Sequence, residues 1–271
     1  MVYTGRRKAL RRRIIRLDRR LQRRPQLSGD LIGRRVLVTG ASTGIGAAVA
    51  RRVVAAGGVA ALLARRADRL SELVSELGDR ASAVLCDVTD QTQLQAAVAE
   101  AAAAMGGIDA VVANAGAAHM GHIATGDPAV WREFIELNVV ACLSTVRYCL
   151  DHVAAAPADV VLVGSTAAHR PSEATGIYAA SKTAVAAAAE SLRLELGSRG
   201  IRVCLLEPGR VDTDIGQNAR LEPGGRHGTM GSDFTPLTAE EVAEVVAFVL
   251  SRPDNVALNT VVLRPVGQRS P

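Results

Sequence analysis

Aromatic side chains are scarce, since Phe, Tyr and Trp together make up 3% of the 271 residues. A core without large rings must be filled by Ala, Val and Leu, and hydrophobic residues reach 48%. Such side chains suit buried parallel strands covered by helices with small-residue faces. Long apolar runs are also missing. None approaches the ~20 residues that a membrane-spanning helix needs. The basic start is not followed by an apolar stretch, which argues against a secretory signal. Cysteine is limited to Cys86, Cys142, Cys149 and Cys204, with no CxxC pair and no Cys/His group at metal-ligand spacing. No metal site is expected, Cys142 and Cys149 read as core positions on one helix face, and a reducing, cytoplasmic setting fits.

The chain carries a net charge of +5, but unevenly. Eleven of the 32 basic residues and one of the 27 acidic ones lie in residues 1–25, which leaves 21 basic against 26 acidic in the remainder. A mildly acidic body therefore carries a basic arm, residues 1–28. Nothing in the body reads as a nucleic-acid surface. Leu10, Ile14, Leu17 and Leu21 recur at helical spacing among arginines. If helical, the arm presents a narrow apolar stripe and a cationic face suited to peripheral contact with an anionic membrane or an acidic partner. A disordered tail, a start codon assigned too far upstream and an organellar targeting peptide are the alternatives.

From residue 29 to 271 the pattern is that of one domain. Short apolar runs at 35–39, 59–64, 81–87, 108–113, 160–164, 201–207 and 260–264 alternate with amphipathic segments at 45–57, 67–77, 91–105, 128–155, 176–198 and 238–250. Strand–helix alternation predicts an α/β fold, a single doubly wound Rossmann-type parallel sheet with helices on both faces. Its ligand crevice should lie at the carboxyl ends of the strands. Residues 216–236 break the rhythm and read as a lid or binding loop.

Three features place chemistry at that crevice. Gly40, Ser42, Thr43, Gly44, Ile45 and Gly46 form a turn between the first strand and the first helix. Glycines there permit a tight turn and close approach to a pyrophosphate, which the helix N-terminus favours. The second strand ends in Arg65 and Arg66 with no acid before Asp68. Arginine suits the 2′-phosphate of NADP, whereas an acid would favour NAD, so NADP is preferred. Tyr178 and Lys182 stand four apart, on one helix face. A nearby cation favours the phenolate and makes tyrosine a usable acid–base. Ser165, just past the fifth long strand, is placed to polarise a substrate oxygen.

The Gly-x-x-x-Gly-x-Gly spacing resembles the short-chain dehydrogenase/reductase family, over about residues 31–265. That resemblance implies an enzyme interconverting an alcohol and a carbonyl by hydride transfer with a nicotinamide dinucleotide. It implies adenine contact by Asp87 and Val88, and support of the cofactor by Asn114, Ala115 and Gly116. A nicotinamide-side turn at Pro208, Gly209, Val211 and Thr213 is implied as well. Asn138 would complete a catalytic set with Ser165, Tyr178 and Lys182, holding a proton-relay water, while Lys182 would also bind ribose. Segments such as Glu207–Val211 and 259–265 look similar to the branch of NADP-dependent dehydrogenases of serine and other 3-hydroxy acids. In that setting Arg220 or Arg226 is a candidate clamp for a substrate carboxylate. His119, His122 and His169 are candidate substrate contacts, and Trp131 is expected to pack at a helix start. The resemblance also implies a homodimer or homotetramer, through the alanine-rich helix at 176–198 and the helix at 130–150. Two rival readings remain, a non-catalytic dinucleotide sensor and a scaffold docked through its arm.

Overall fold

A computed structural model describes residues 30–153, 156–217, 219–223, 225 and 234–269. The basic arm and Arg226 lie outside the described residues. Seven strands form one sheet in the order β3-β2-β1-β4-β6-β7-β9, every pairing parallel. They are β1 (Arg35–Thr39), β2 (Val59–Ala64), β3 (Ala81–Leu85), β4 (Ala110–Ala113), β6 (Ala158–Val163), β7 (Ile201–Pro208) and β9 (Thr260–Leu263). The remaining pair, β5 (His119–Met120) and β8 (Arg220–Leu221), makes a separate two-stranded ribbon.

The helices follow from local sequence. Helix α1 (Gly44–Ala55) starts at the glycine turn, and α2 (Ala67–Leu77) follows Arg66. Asp90 caps α3 (Gln91–Met105) by accepting from the amides of Thr92 and Gln93, while Asp127 followed by Pro128 starts α4 (Pro128–Ile135). Beyond α5 (Ala141–Cys149) and α6 (Gly176–Leu196) come the short α7 (Asp214–Gln217) and α8 (Ala239–Leu250). A reciprocal capping box between Thr238 and Glu241 starts α8.

Because both faces of the sheet are covered, alternate residues of one strand feed two apolar layers. Val36, Val38, Val161 and Leu206 join one, while Leu37, Val160, Leu162 and Leu205 join the other. The second layer packs under α3, α5 and α6, and buries Cys86, Cys142 and Cys149. Burial pushes the thiols of Cys86 and Cys142 up to about 11. Cys204, in the first layer, is pushed up to about 12 by burial and by Asp159. All four are free thiols, held protonated at neutral pH. Trp131 packs its ring against the backbone of Gly126 at the start of α4. No helix among the described residues is long and apolar enough to cross a membrane.

Two departures from the sequence reading matter. The segment at 128–155 is not one helix, because a π-helical turn, Glu136–Val140, separates α4 from α5 and the helix ends at Cys149. Residues 216–236 are not wholly irregular either. Arg220 and Glu222 donate their amides to the carbonyls of Ala118 and Met120, and this pairing makes the β5–β8 ribbon.

Candidate active site

The order reverses direction at β1, with β2 on one side and β4 on the other, which is where a doubly wound sheet opens a crevice. The loops there enclose a cleft of about 370 Å³. Gly40, Ser42, Thr43, Gly44 and Ile45 form its floor. Gly40 has φ +65°, and a Cβ on it would meet the Ala115 backbone at 2.9 Å. A Cβ on Gly46 would stand 2.4 Å from the Gly40 carbonyl oxygen, so no side chain fits there. The turn is stapled to β4 by Thr39, whose hydroxyl accepts from the amides of Asn114 and Ala115 at 3.1 Å each. Asn114 donates back to the Thr39 carbonyl at 3.0 Å.

Arg65, Arg66, Asp87 and Val88 line one wall, and Asn114, Ala115, Gly116 and Thr213 the other. Arg66 reaches across the glycine turn and donates to Ser42 Oγ at 3.0 and 3.2 Å and to Thr43 Oγ1 at 2.6 Å. Arg65 stands 3.6 Å from Asp87. Burial works to raise the Asp87 carboxyl, but the Thr89 amide and hydroxyl, together with Arg65, outweigh it and hold the group below the usual carboxylate range. Ala117, Ala118, Leu137 and Ile215 also line the cleft and were missed from the sequence. Their nearness in the chain to Gly116, Asn138 and Thr213 was the available signal.

None of the four expected catalytic residues lines this cleft, but Asn138 and Lys182 lie next to Gly116 at its edge. Lys182 is buried, stands 5.9 Å from the centre of the Tyr178 ring and donates from Nζ to the Val163 carbonyl at 2.8 Å. That bond fixes it at the carboxyl end of β6, two residues before Ser165, and leaves two N–H donors. Ser165 Oγ accepts from the Ala167 amide at 3.2 Å, which leaves its own hydrogen to donate outward. Asn138 sits in the π-helical turn and is fully buried. Its Oδ1 accepts from the Ala117 amide at 2.9 Å, and its Nδ2 donates to the Ala117 carbonyl at 3.0 Å and to Ser181 Oγ at 3.1 Å. A Cβ on Gly116 would stand 3.0 Å from Asn138 Oδ1 and 3.7 Å from Lys182 Nζ. The cofactor loop, the π turn and the tyrosine helix therefore meet at Gly116.

Pro208, Gly209 and Val211 do not line the cleft. The Gly209 amide donates to the Leu263 carbonyl at 2.7 Å, the Arg210 amide to Gln268 Oε1 at 2.8 Å, and Val211 bridges Leu237. The chain after β9 thus holds the turn after β7.

Three of the candidate substrate contacts, Arg220, His169 and His119, have other side-chain partners. Arg220 is taken by Glu133 at 2.6 Å. His169 Nε2 bonds Glu207 at 2.8 Å, and the His122 amide donates to the Pro223 carbonyl. His119 is buried, with Nε2 2.5 Å from Glu222 Oε2 and its ring edge-on to Phe134. Glu222 Oε1 accepts from the Asp127 amide at 2.9 Å. That amide, and then His119, hold the Glu222 carboxyl below the usual range against the opposing effect of burial. This pair clamps the β5–β8 ribbon. His119→Ala leaves Glu222 short of a partner at about 1–3 kcal/mol. Hydrogen exchange of the Arg220 and Glu222 amides should accelerate by about 10- to 100-fold. Unchanged exchange would show that the ribbon stands without the clamp.

These features match known proteins. The short chain dehydrogenase family profile matches residues 34–224. The chain is 30% identical over 238 residues to serine 3-dehydrogenase of Agrobacterium fabrum, covering 86% of this chain and 94% of that one. It is 33% identical over 252 residues to glycine betaine reductase ATRR of Emericella nidulans, covering 91% of this chain but only 20% of that longer protein. The crystal structure of a short chain dehydrogenase from Burkholderia cenocepacia J2315 in complex with NADP superposes with a TM-score of 0.77 at 33% identity, covering 88% of this chain and 98% of that one. The chain belongs to the short chain dehydrogenase family, and it is an oxidoreductase.

Proposed function

We propose that this enzyme interconverts a secondary alcohol or hydroxy acid and the matching carbonyl with NADP(H), using Tyr178 as acid–base. The observation that carries this reading is the convergence at Gly116, where Asn138 and Lys182 meet the end of the dinucleotide cleft. The cleft suits such a cofactor because Gly40 leaves its floor without a side chain, and Gly46 lets the first helix pack closely under that turn. Bound there, the nicotinamide supplies or accepts the hydride.

The protein's own groups manage the proton and the oxygen. Lys182, one helical turn beyond Tyr178 and buried beside it, sets a cation by the phenol ring and keeps two donors for ribose hydroxyls. Ser165 donates its free hydrogen to the substrate oxygen, and Tyr178 passes a proton to that oxygen in reduction and takes one in oxidation. The Asn138 side chain is spent on Ala117 and Ser181, so its amide locks the cofactor loop to α6.

The preference for NADP is supported by Arg66, whose fork lies over Ser42 and Thr43. Arg66→Asp should raise the KM for NADPH by about 10- to 100-fold, the worth of a charge-assisted contact, and change that for NADH far less. Steady-state kinetics with both cofactors against a panel of carboxylated and neutral carbonyls tests cofactor and substrate class together. Equal loss for both cofactors would remove the NADP reading. We further infer that residues 29–271 act as the catalytic unit, with residues 1–28 dispensable for turnover, and that α6 with α4 and α5 makes the contact of a homodimer or homotetramer.

A further inference from the structure

A second histidine–carboxylate pair lies behind Ser165, and the reaction just described does not use it. Glu207, next to the last residue of β7, is completely buried. One carboxylate oxygen takes the His169 ring N–H at 2.8 Å, and the other has no hydrogen-bond partner. His169 itself is about half exposed. Burying a carboxylate on so few partners costs stability, and an apolar residue of similar volume would serve the core as well or better. Its placement points to a local task.

The task is legible in what the pair touches. A Cβ on Gly164, the residue before Ser165, would stand 3.1 Å from Glu207 Cγ, so the backbone entering Ser165 rests on the Glu207 stem. The Gly164 amide donates to the Leu206 carbonyl of the same strand at 2.7 Å. Ser165 then caps a single 3-10 turn, Thr166–Ala168, which ends at His169. The His169 amide closes that turn on the Thr166 carbonyl at 3.1 Å, and its ring returns to Glu207. Glu207 thus holds both ends of the loop that carries Ser165, one through its stem and one through its carboxylate.

We propose that His169 and Glu207 are positioning residues that aim the Ser165 hydroxyl at the substrate oxygen. The inference rests on the role given to Ser165 above. Without the ring-to-carboxylate bond the far end of the 3-10 turn keeps only the Thr183 hydroxyl, which donates to the Ala168 carbonyl at 3.2 Å. A displacement of about 1 Å at a reacting group costs on the order of 100-fold in rate.

Four variants test it: His169→Ala, His169→Gln, Ser165→Ala and the double variant Ser165→Ala/His169→Ala. His169→Ala should lower kcat by about 10- to 100-fold with NADPH affinity, read by fluorescence titration, unchanged. His169→Gln, whose amide donor stands where Nε2 stood, should restore most of that loss. In the Ser165→Ala background, His169→Ala should cost nothing more, because residues acting through one group are not additive. Equal losses for His169→Ala and His169→Gln, or full additivity in the double variant, would overturn the proposal. If Ser165→Ala keeps its activity, the reading of Ser165 itself has failed. If Ser165→Ala is inactive while His169→Ala is not, only the pair's role is lost. His169 is exposed enough that these variants are expected to fold, and melting temperatures check it.

Discussion

Tyr178→Phe should lower kcat by about 100- to 10,000-fold, the range that a placed general acid–base contributes, while NADPH still binds. The phenyl ring keeps the volume of the side chain and its place 5.9 Å from Lys182, so the fold and the dinucleotide cleft are undisturbed. Only the transferable proton is removed. Rapid-mixing measurement of NADPH oxidation, with fluorescence titration of cofactor affinity, separates the two effects. Retained turnover would remove Tyr178 as the acid–base, whereas biological function kept in the absence of turnover would favour a sensor or a docked scaffold, since neither of those needs the phenol.

The largest expected loss of stability lies at the opposite end of the sheet. Asp159 is buried at the start of β6 and accepts from Arg202 at 2.7 and 2.8 Å and from Arg34. Arg202, with a side chain only 9% exposed, also donates to the carbonyls of Arg252, Pro253 and Val256. The cluster ties β6 and β7 to the segment after α8 and to Arg34, just before β1. Asp159→Ala removes the only carboxylate among the described residues that either arginine contacts and strands a buried guanidinium, at about 3–5 kcal/mol. Against a total of roughly 5–15 kcal/mol, that is a large share of the stability. Denaturant unfolding should show a lower midpoint at an unchanged slope. A midpoint within error of the parent would mean that the arginines find other acceptors.

What the sequence made legible was whatever repeats or sits next in line. All seven sheet strands announce themselves as short apolar runs, and the glycine turn, Arg65, Arg66 and Asp87 come together because each follows a strand of known place in the order. Contacts between distant segments left no such trace. The π turn is invisible because the apolar pattern runs on through Glu136–Val140 at helical spacing. The β5–β8 ribbon has two residues in each strand, too few for any periodicity, and its His119–Glu222 clamp spans 103 residues. Glu207 could be read as the end of a strand but not as a carboxylate closed off from water. Arg220 looked free for a substrate because its partner, Glu133, lies on a helix far back in the chain.

Arg66 has a bearing on how strictly the two cofactors are told apart. Its fork is already satisfied by two neutral hydroxyls, Ser42 and Thr43. A 2′-phosphate arriving there trades those acceptors for charged ones, and when NAD arrives instead the hydroxyls keep the arginine occupied. On the NADP reading, NAD therefore leaves no orphaned charge behind. Discrimination built this way works by reward and not by rejection, which yields a modest ratio where an unpaired group would yield a steep one. Because the reward is electrostatic and exposed, it shrinks as ionic strength rises.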